Sequence, residues 1–411
     1  MKIAIAHYSS SKDISGVTTW LENLVLHLQK DGLHPVVHFH HLGMDVKKSS
    51  LAPRLQDAGV SVEVVPRSRS FVGDIVQTTK FLNRVKPDIF LPQCLHAHFF
   101  AAAIAGEQGL PWALTIHSDD PDYWTIAKAR PPVNHGGNIV CVSEHIAQLV
   151  VNDKVDSDPN VIPCGVKVSN QIATHSKKPF RIIYSGRLVE LQKRLSLVIE
   201  TLILACKADN TIEGKVIGDG PAMDSSRKTV ADAGMENRIT FTGFLTPLKV
   251  KTELLNAQAI LLMSDFEGLP LALLEAMAVG VVPVVRSIPS GIPEIIHHEK
   301  TGLLVDDQPE NAAKAICRLS SDLELWQLCS KAGRKLIMER YSEDISYSHW
   351  LDLIDMLYTK SKINYPIRLP RQILSPDEKR QFGAGYPSSW MWTASIIKRE
   401  LHNVSRILLG K

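Results

Sequence analysis

The feature that most limits the folds open to this chain is an alternation of short apolar runs with helical patterns, which restarts once. Runs of strand length fall at 2–7, 35–39, 60–65, 89–91, 112–116 and 139–142. Amphipathic stretches lie between them. In 17–29, Val17, Leu21, Leu24, Val25 and Leu28 share one helical face. After Lys177-Lys178-Pro179 the series begins again, with runs at 180–184, 214–217, 239–241, 259–263 and 281–285. Strands that are apolar throughout, separated by helices, call for a parallel sheet covered on both faces. The chain is therefore expected to be α/β, with two Rossmann-like halves at 1–168 and 180–341. The polar segment 169–179 is the expected linker, and 342–411 a C-terminal region. Ligands of such sheets sit at the carboxyl ends of the strands, so the expected site is the cleft between the halves.

Composition removes several alternatives. The 411 residues, 45% hydrophobic and 22% charged, form an ordinary globular mixture and exclude a disordered chain, a collagen-like fibre or a coiled-coil rod. The six cysteines contain no C-x-x-C pair, which argues against a zinc ribbon or a thioredoxin-type site. Their usage fits a reducing compartment, so a cytoplasmic protein is expected. Apolar runs all fall short of the roughly 20 residues that a bilayer span needs. The apolar start ends at His7, below the about 7–15 residues of a signal-peptide core, and reads as a buried first strand.

The net charge of +3 hides an asymmetry. Residues 360–411 carry a net +7, and the rest of the chain −4. A basic tail suits an anionic partner. Ile397, Leu401, Val404 and Leu408 fall on one helical face, Lys398, Arg399, His402 and Arg406 largely on others, and Trp390 and Trp392 precede them. Two expectations follow. The apolar face packs on the first half or on a second subunit, or the tail makes peripheral contact with an anionic membrane surface. No nucleic-acid partner is expected.

The most informative stretch is 264–278, SDFEGLPLALLEAMA. It follows an apolar strand, with Glu267 on the loop and Glu275 in a helix that begins near Pro270. Free N–H groups at that helix start suit a phosphate, and the two carboxylates can accept hydrogen bonds from sugar and ribose hydroxyls. The plain alternative is a capping acid and a solvated glutamate. Upstream, Gly186-Arg187-Leu188 ends a strand and Lys193 follows, two cations suited to a diphosphate. Gly218-Asp219-Gly220-Pro221, Phe241-Thr242-Gly243-Phe244, Gly291-Ile292-Pro293-Glu294 and Thr301-Gly302-Leu303-Leu304-Val305 complete the set. Each taken singly is equally a strand-end turn. Gly218-x-Gly220 lacks the third glycine of a dinucleotide fingerprint.

As an ordered set, over about 1–358, these motifs resemble the retaining glycosyltransferases of family four, which have the GT-B fold. The resemblance implies a hexosyltransferase-class enzyme of glycan or polysaccharide synthesis. It would move a sugar, with retention, from a nucleoside-diphosphate donor to a hydroxyl acceptor on a glycan, a lipid-linked glycan or a small molecule. A UDP-sugar is favoured because the family uses it often. The donor would bind mainly to the second half and the acceptor to the first, with no cofactor and no required metal. Arg187 and Lys193 match the pair that holds the diphosphate. Glu275 matches the ribose-binding glutamate and Glu267 the one near the donor sugar. The backbone of Gly268 through Leu271 would meet sugar and phosphate, while backbone around Gly218–Gly220 and Phe244 would frame the base. His117, ending the run at 112–116, matches the histidine that faces the donor sugar. Gly16 keeps the close-approach glycine of the first half, where the family usually has Gly-Gly and this chain has Ser15-Gly16. The stretch 342–358 matches the final helix, which returns to the first half.

Two alternatives stand beside this reading, a nucleotide-sugar epimerase on the same fold and a non-catalytic nucleotide-sugar-binding subunit. His96 and His98 resemble a family segment near the cleft or, equally, packed histidines at a strand end. Asp119 and Asp120 could contact sugar hydroxyls or cap a helix. His38, His40 and His41 are not expected to bind metal, because His41 points away and no Glu or Cys lies beside them. Asp120-Pro121-Asp122 and Asp156-Ser157-Asp158 mimic the D-x-D of other glycosyltransferases but read as loops.

Overall fold

The structure, a computed structural model, describes residues 1–10, 15–42, 45, 47, 49–68, 70–119, 137–156, 158–175 and 179–370. Among them are two parallel sheets. The first holds β1 (Lys2–Ser9), β2 (His34–His41), β3 (Ser61–Pro66), β4 (Ile89–Pro92), β5 (Trp112–Ile116), β6 (Gly137–Cys141) and β7 (Asn160–Val161) in the order β3-β2-β1-β4-β5-β6-β7. The second holds β8 (Phe180–Ser185), β9 (Ile212–Ile217), β10 (Ile239–Gly243), β11 (Ala259–Leu262), β12 (Val282–Arg286) and β13 (Leu303–Val305) in the order β10-β9-β8-β11-β12-β13. This is the two-sheet α/β architecture expected. The apolar runs became strands because both their faces are covered: Ile3, Ile5, Ile182, Ile183, Leu261 and Val284 are all fully buried. Two short strands, β7 and β13, had no strand-length run to announce them.

In each sheet the strand order reverses beside the first strand, between β1 and β4 and between β8 and β11. That reversal opens a crevice at the carboxyl ends of the strands. Tyr8, Arg187 and Glu267, at or just past the ends of β1, β8 and β11, therefore line that space. The helix Gly16–Lys30 leaves the first crevice with Ser15 as its cap, whose Oγ accepts the Thr18 N–H at 3.2 Å.

The helix Glu343–Thr359 crosses back onto the first sheet's side. Ser346 Oγ donates to the Pro163 carbonyl (2.6 Å), Glu343 pairs with His27 (2.9 Å), and Trp350 tilts against Trp20 at 5.7 Å. Residues 361–370 continue along the same half. Asn83 and Ile367 exchange two hydrogen bonds (2.9 and 2.6 Å), Gln108 and Arg368 two more (2.9 and 2.8 Å), and Ile367 is buried. The Trp390, Trp392 and 397–408 pattern lies outside the described residues, as do Asp120, Asp122 and Ser157. No helix among the described residues is long and apolar enough to cross a membrane.

Three histidine expectations need correction. His96 and His98 do not end a strand: they open the helix His96–Gly106. His98 is fully buried there, donating from Nδ1 to the Gln93 carbonyl (3.1 Å) and meeting His40 Nδ1 at 2.7 Å. A glutamate does lie beside His38: the β2–β3 register sets Glu63 opposite it, and Nδ1 donates to that carboxylate at 2.8 Å. Parallel pairing brought together residues 25 apart, which adjacency in the chain does not reveal. No group of three or more metal-ligating side chains is assembled among the described residues.

Candidate active site

The two crevices face each other and enclose a cleft of about 410 Å³. Its lining includes Gly16, His117, Arg187, Lys193, Glu267, Leu271 and Glu275. The structure thus brings seven of the eight predicted site residues to one cavity. The eighth, Gly268, sits between the lining residues Glu267 and Leu269 and packs on the His117 backbone, where a Cβ would collide with the His117 carbonyl. Gly16 is constrained less severely: its Cβ would stand 2.8 Å from Leu271 Cδ1, the movable end of a side chain. The starts of the helices Gly16–Lys30 and Leu271–Ala278 therefore converge across the cleft, and two positive dipole ends point into one space.

The arginine loop is held from below. Tyr184, fully buried, donates its hydroxyl to the Arg187 carbonyl at 2.7 Å. Gly218 (φ +137°) and Gly220 lie so close to the Gly186 and Leu188 carbonyls that any side chain would strike them. These glycines thus press the 186–188 backbone into place. Phe244, Pro247 and Val250 form an apolar end of the cleft.

Lys193 and Glu267 make a close ion pair across 74 residues, with Glu267 only 6% exposed. The sequence assigned them to different parts of a ligand, and in the structure each is the other's partner. Glu275, one turn into the helix Leu271–Ala278, also lines the cleft, and burial pushes its carboxyl up to about 7. His117 is buried, with its ring against the edge of Trp20 (4.5 Å) and Nδ1 3.9 Å from Cys164 Sγ. Burial, reinforced by His7, pushes the imidazole down to about 3, so it is neutral at neutral pH. A neutral ring can exchange hydrogen bonds with hydroxyls and contributes no cation.

Sequence reasoning gave no role to two residues. Glu294 reaches from the second half to the start of the helix Glu144–Asn152 in the first, accepting the Glu144 and His145 N–H groups at 3.2 and 3.0 Å. It caps a helix of the opposite half and so ties the halves together. The motif around it was visible, but its partners lie about 150 residues away. Gln192 is the second, bonded to Arg187 at 2.6 Å. Asp119 pairs with His145 at 3.5 Å.

Family models agree with this geometry. One described as Glycosyltransferase Family 4 matches residues 14–170, and one described as Glycosyl transferases group 1 matches 167–336. Together they span both halves and the cleft between them. The chain belongs to the group 1, family 4 glycosyltransferases. Like other members, it carries the GT-B fold of two facing Rossmann-like units. A structure of Anabaena Alr3699/HepE in complex with UDP-glucose superposes with a TM-score of 0.72 at 15% identity, over 87% of this chain and 100% of that one. At that identity the likeness concerns the fold. Among curated family members, the amylovoran biosynthesis glycosyltransferase AmsK of Erwinia amylovora is 33% identical over 187 residues, 44% of this chain and 46% of the relative. A putative colanic acid biosynthesis glycosyltransferase, WcaL of Escherichia coli, is 36% identical over 146 residues, 34% of this chain and 35% of the relative. The matched part is thus less than half the length of these relatives.

Proposed function

We propose that this glycosyltransferase-family chain is an enzyme that transfers a sugar, with retention, from a nucleoside-diphosphate donor to a glycan hydroxyl in polysaccharide synthesis. The observation that carries the reading is the convergence of Arg187, Lys193 and the Leu271 helix start on one cleft wall, facing His117 and Gly16. A diphosphate lying there meets two cations and two helix N-termini. As the bond from the sugar's anomeric carbon to the diphosphate oxygen breaks, its electron pair goes to the diphosphate. The fixed positive groups stabilise that charge, and one such donor is worth about 2–4 kcal/mol in a transition state. The acceptor oxygen attacks on the face the diphosphate leaves, and its proton passes to the departing phosphate oxygen. Glu275 accepts from ribose hydroxyls, and Glu267 and His117 meet the sugar. Gly268 and Leu271 present backbone N–H groups to sugar and phosphate.

Charge neutralisation by Arg187 and Lys193 needs no divalent ion. The UDP-glucose held by the HepE structure and the polysaccharide pathways named for AmsK and WcaL support a UDP-sugar donor and a glycan acceptor. The test is a thermal-shift comparison of UDP, GDP and ADP, followed by transfer assays with matching sugars and anomeric analysis of the product. A ligand at 100 times its Kd adds about 2.7 kcal/mol of stability. If no nucleoside diphosphate raises the melting temperature, or if the product is inverted, the reading fails.

A further inference from the structure

Arg187 stands at the exit of β8 with a long flexible side chain, and its use as a diphosphate donor requires that the guanidinium be aimed. Gln192 does this. It is 8% exposed, and both ends of its side-chain amide are committed. Its Oε1 accepts from Arg187 Nη2 at 2.6 Å, and its Nε2 donates to the Phe266 carbonyl at 3.2 Å. Its own carbonyl accepts the Asp265 N–H at 2.9 Å. A guanidinium only donates and a carbonyl only accepts, so the two partners allow a single orientation of the amide. Gln192 is thereby clamped to the loop after β11, the loop that carries Glu267, and the clamped end holds Arg187.

We propose that Gln192 is a positioning residue that fixes the Arg187 guanidinium against the donor diphosphate and sets its geometry from the Glu267 loop. The proposal rests on the donor reading given above. Glutamine suits this position better than its nearest relatives. Glutamate would grip Arg187 but set a carboxylate against the Phe266 carbonyl, and would add negative charge beside a diphosphate. Methionine has similar length and fills the same space with neither hydrogen bond. Without the clamp, Arg187 samples rotamers, and the transition-state contact bears the cost of ordering it.

The test is a double-mutant cycle of Gln192→Met with Arg187→Ala, read as kcat, donor KM and melting temperature. Arg187→Ala is expected to lower kcat about a hundredfold or more. Gln192→Met alone should lower kcat about tenfold while changing donor KM less, since the aimed contact strengthens in the transition state. On the Arg187→Ala background, Gln192→Met should change kcat less than about twofold, because its target is gone. An equal loss on both backgrounds would place the effect in the Phe266–Glu267 loop and overturn the proposal. So would a Gln192→Met enzyme with normal kcat beside a crippled Arg187→Ala, which leaves the donor reading intact. Normal transfer by Arg187→Ala would instead overturn the donor reading, and the positioning role with it.

Discussion

Glu275 offers a perturbation whose sign is opposite for stability and for binding. Burial raises its carboxyl from an ordinary 4.5 to about 7. The folded chain therefore holds this proton more tightly than the unfolded chain. Stability from this group is full below about pH 4.5 and declines as pH rises through 7. Above that, the fold carries an ionised carboxylate that it would rather keep neutral. At about 1.4 kcal/mol per tenfold change in proton affinity, the cost reaches about 3 kcal/mol. That is an upper bound, because the side chain is only half-buried and borders an open cleft. Glu275→Gln has nearly the same shape and no charge. It should raise the melting temperature of the ligand-free protein at pH 8–9 by several degrees, at about 2–4 °C per kcal/mol for a unit of this size. Near pH 4.5 the difference should vanish. Nucleoside-diphosphate affinity should fall at the same time, by about tenfold, because an amide is a weaker acceptor for ribose hydroxyls than a carboxylate. Melting curves of both proteins from pH 4.5 to 9, with and without nucleotide, read all three effects. A stability difference that does not vary with pH would refute the buried-carboxylate argument. Unchanged nucleotide affinity would remove Glu275 from the ribose.

The Lys193–Glu267 pair predicts that Lys193→Ala loses stability as well as transfer, because it strands a nearly buried carboxylate, at about 1–3 kcal/mol; adding Glu267→Gln should restore the denaturant midpoint but not kcat, and failure to restore it would show that the pair is not the cause. Gly268→Ala should cut kcat by more than tenfold through its collision with the His117 carbonyl, at about 1–3 kcal/mol of strain; full activity would mean the cleft walls stand further apart. EDTA should leave transfer intact, and complete loss restored by Mn²⁺ or Mg²⁺ would refute charge neutralisation by Arg187 and Lys193 alone. Glu294→Ala removes the cap between the halves and should cost about 1 kcal/mol or more of stability and weaken donor affinity; identical melting and affinity would leave Glu294 without that role.

Much of this molecule was legible because its signals are local. An apolar run buried on both faces reads as a strand wherever it falls, and β5 begins and ends where its run does, at Trp112 and Ile116. Arg187, Lys193, Glu267 and Glu275 sit beside strand ends or helix starts, so placing those elements carried the residues to the cleft with them. His96 and His98 were misplaced because alternation by two over so short a run does not separate a strand end from a first helical turn. The chain by itself determined two parallel sheets and the motifs at their carboxyl ends, since periodicity and turn chemistry act over a few residues. Tertiary structure alone decided which of those residues touch. The Lys193–Glu267 pair, the Gln192 clamp, the Glu294 cap and the His38–Glu63 bond join positions 25 to 150 apart. Their partners are set by sheet register and by the facing of two halves, and neither is written in the neighbourhood of any one residue.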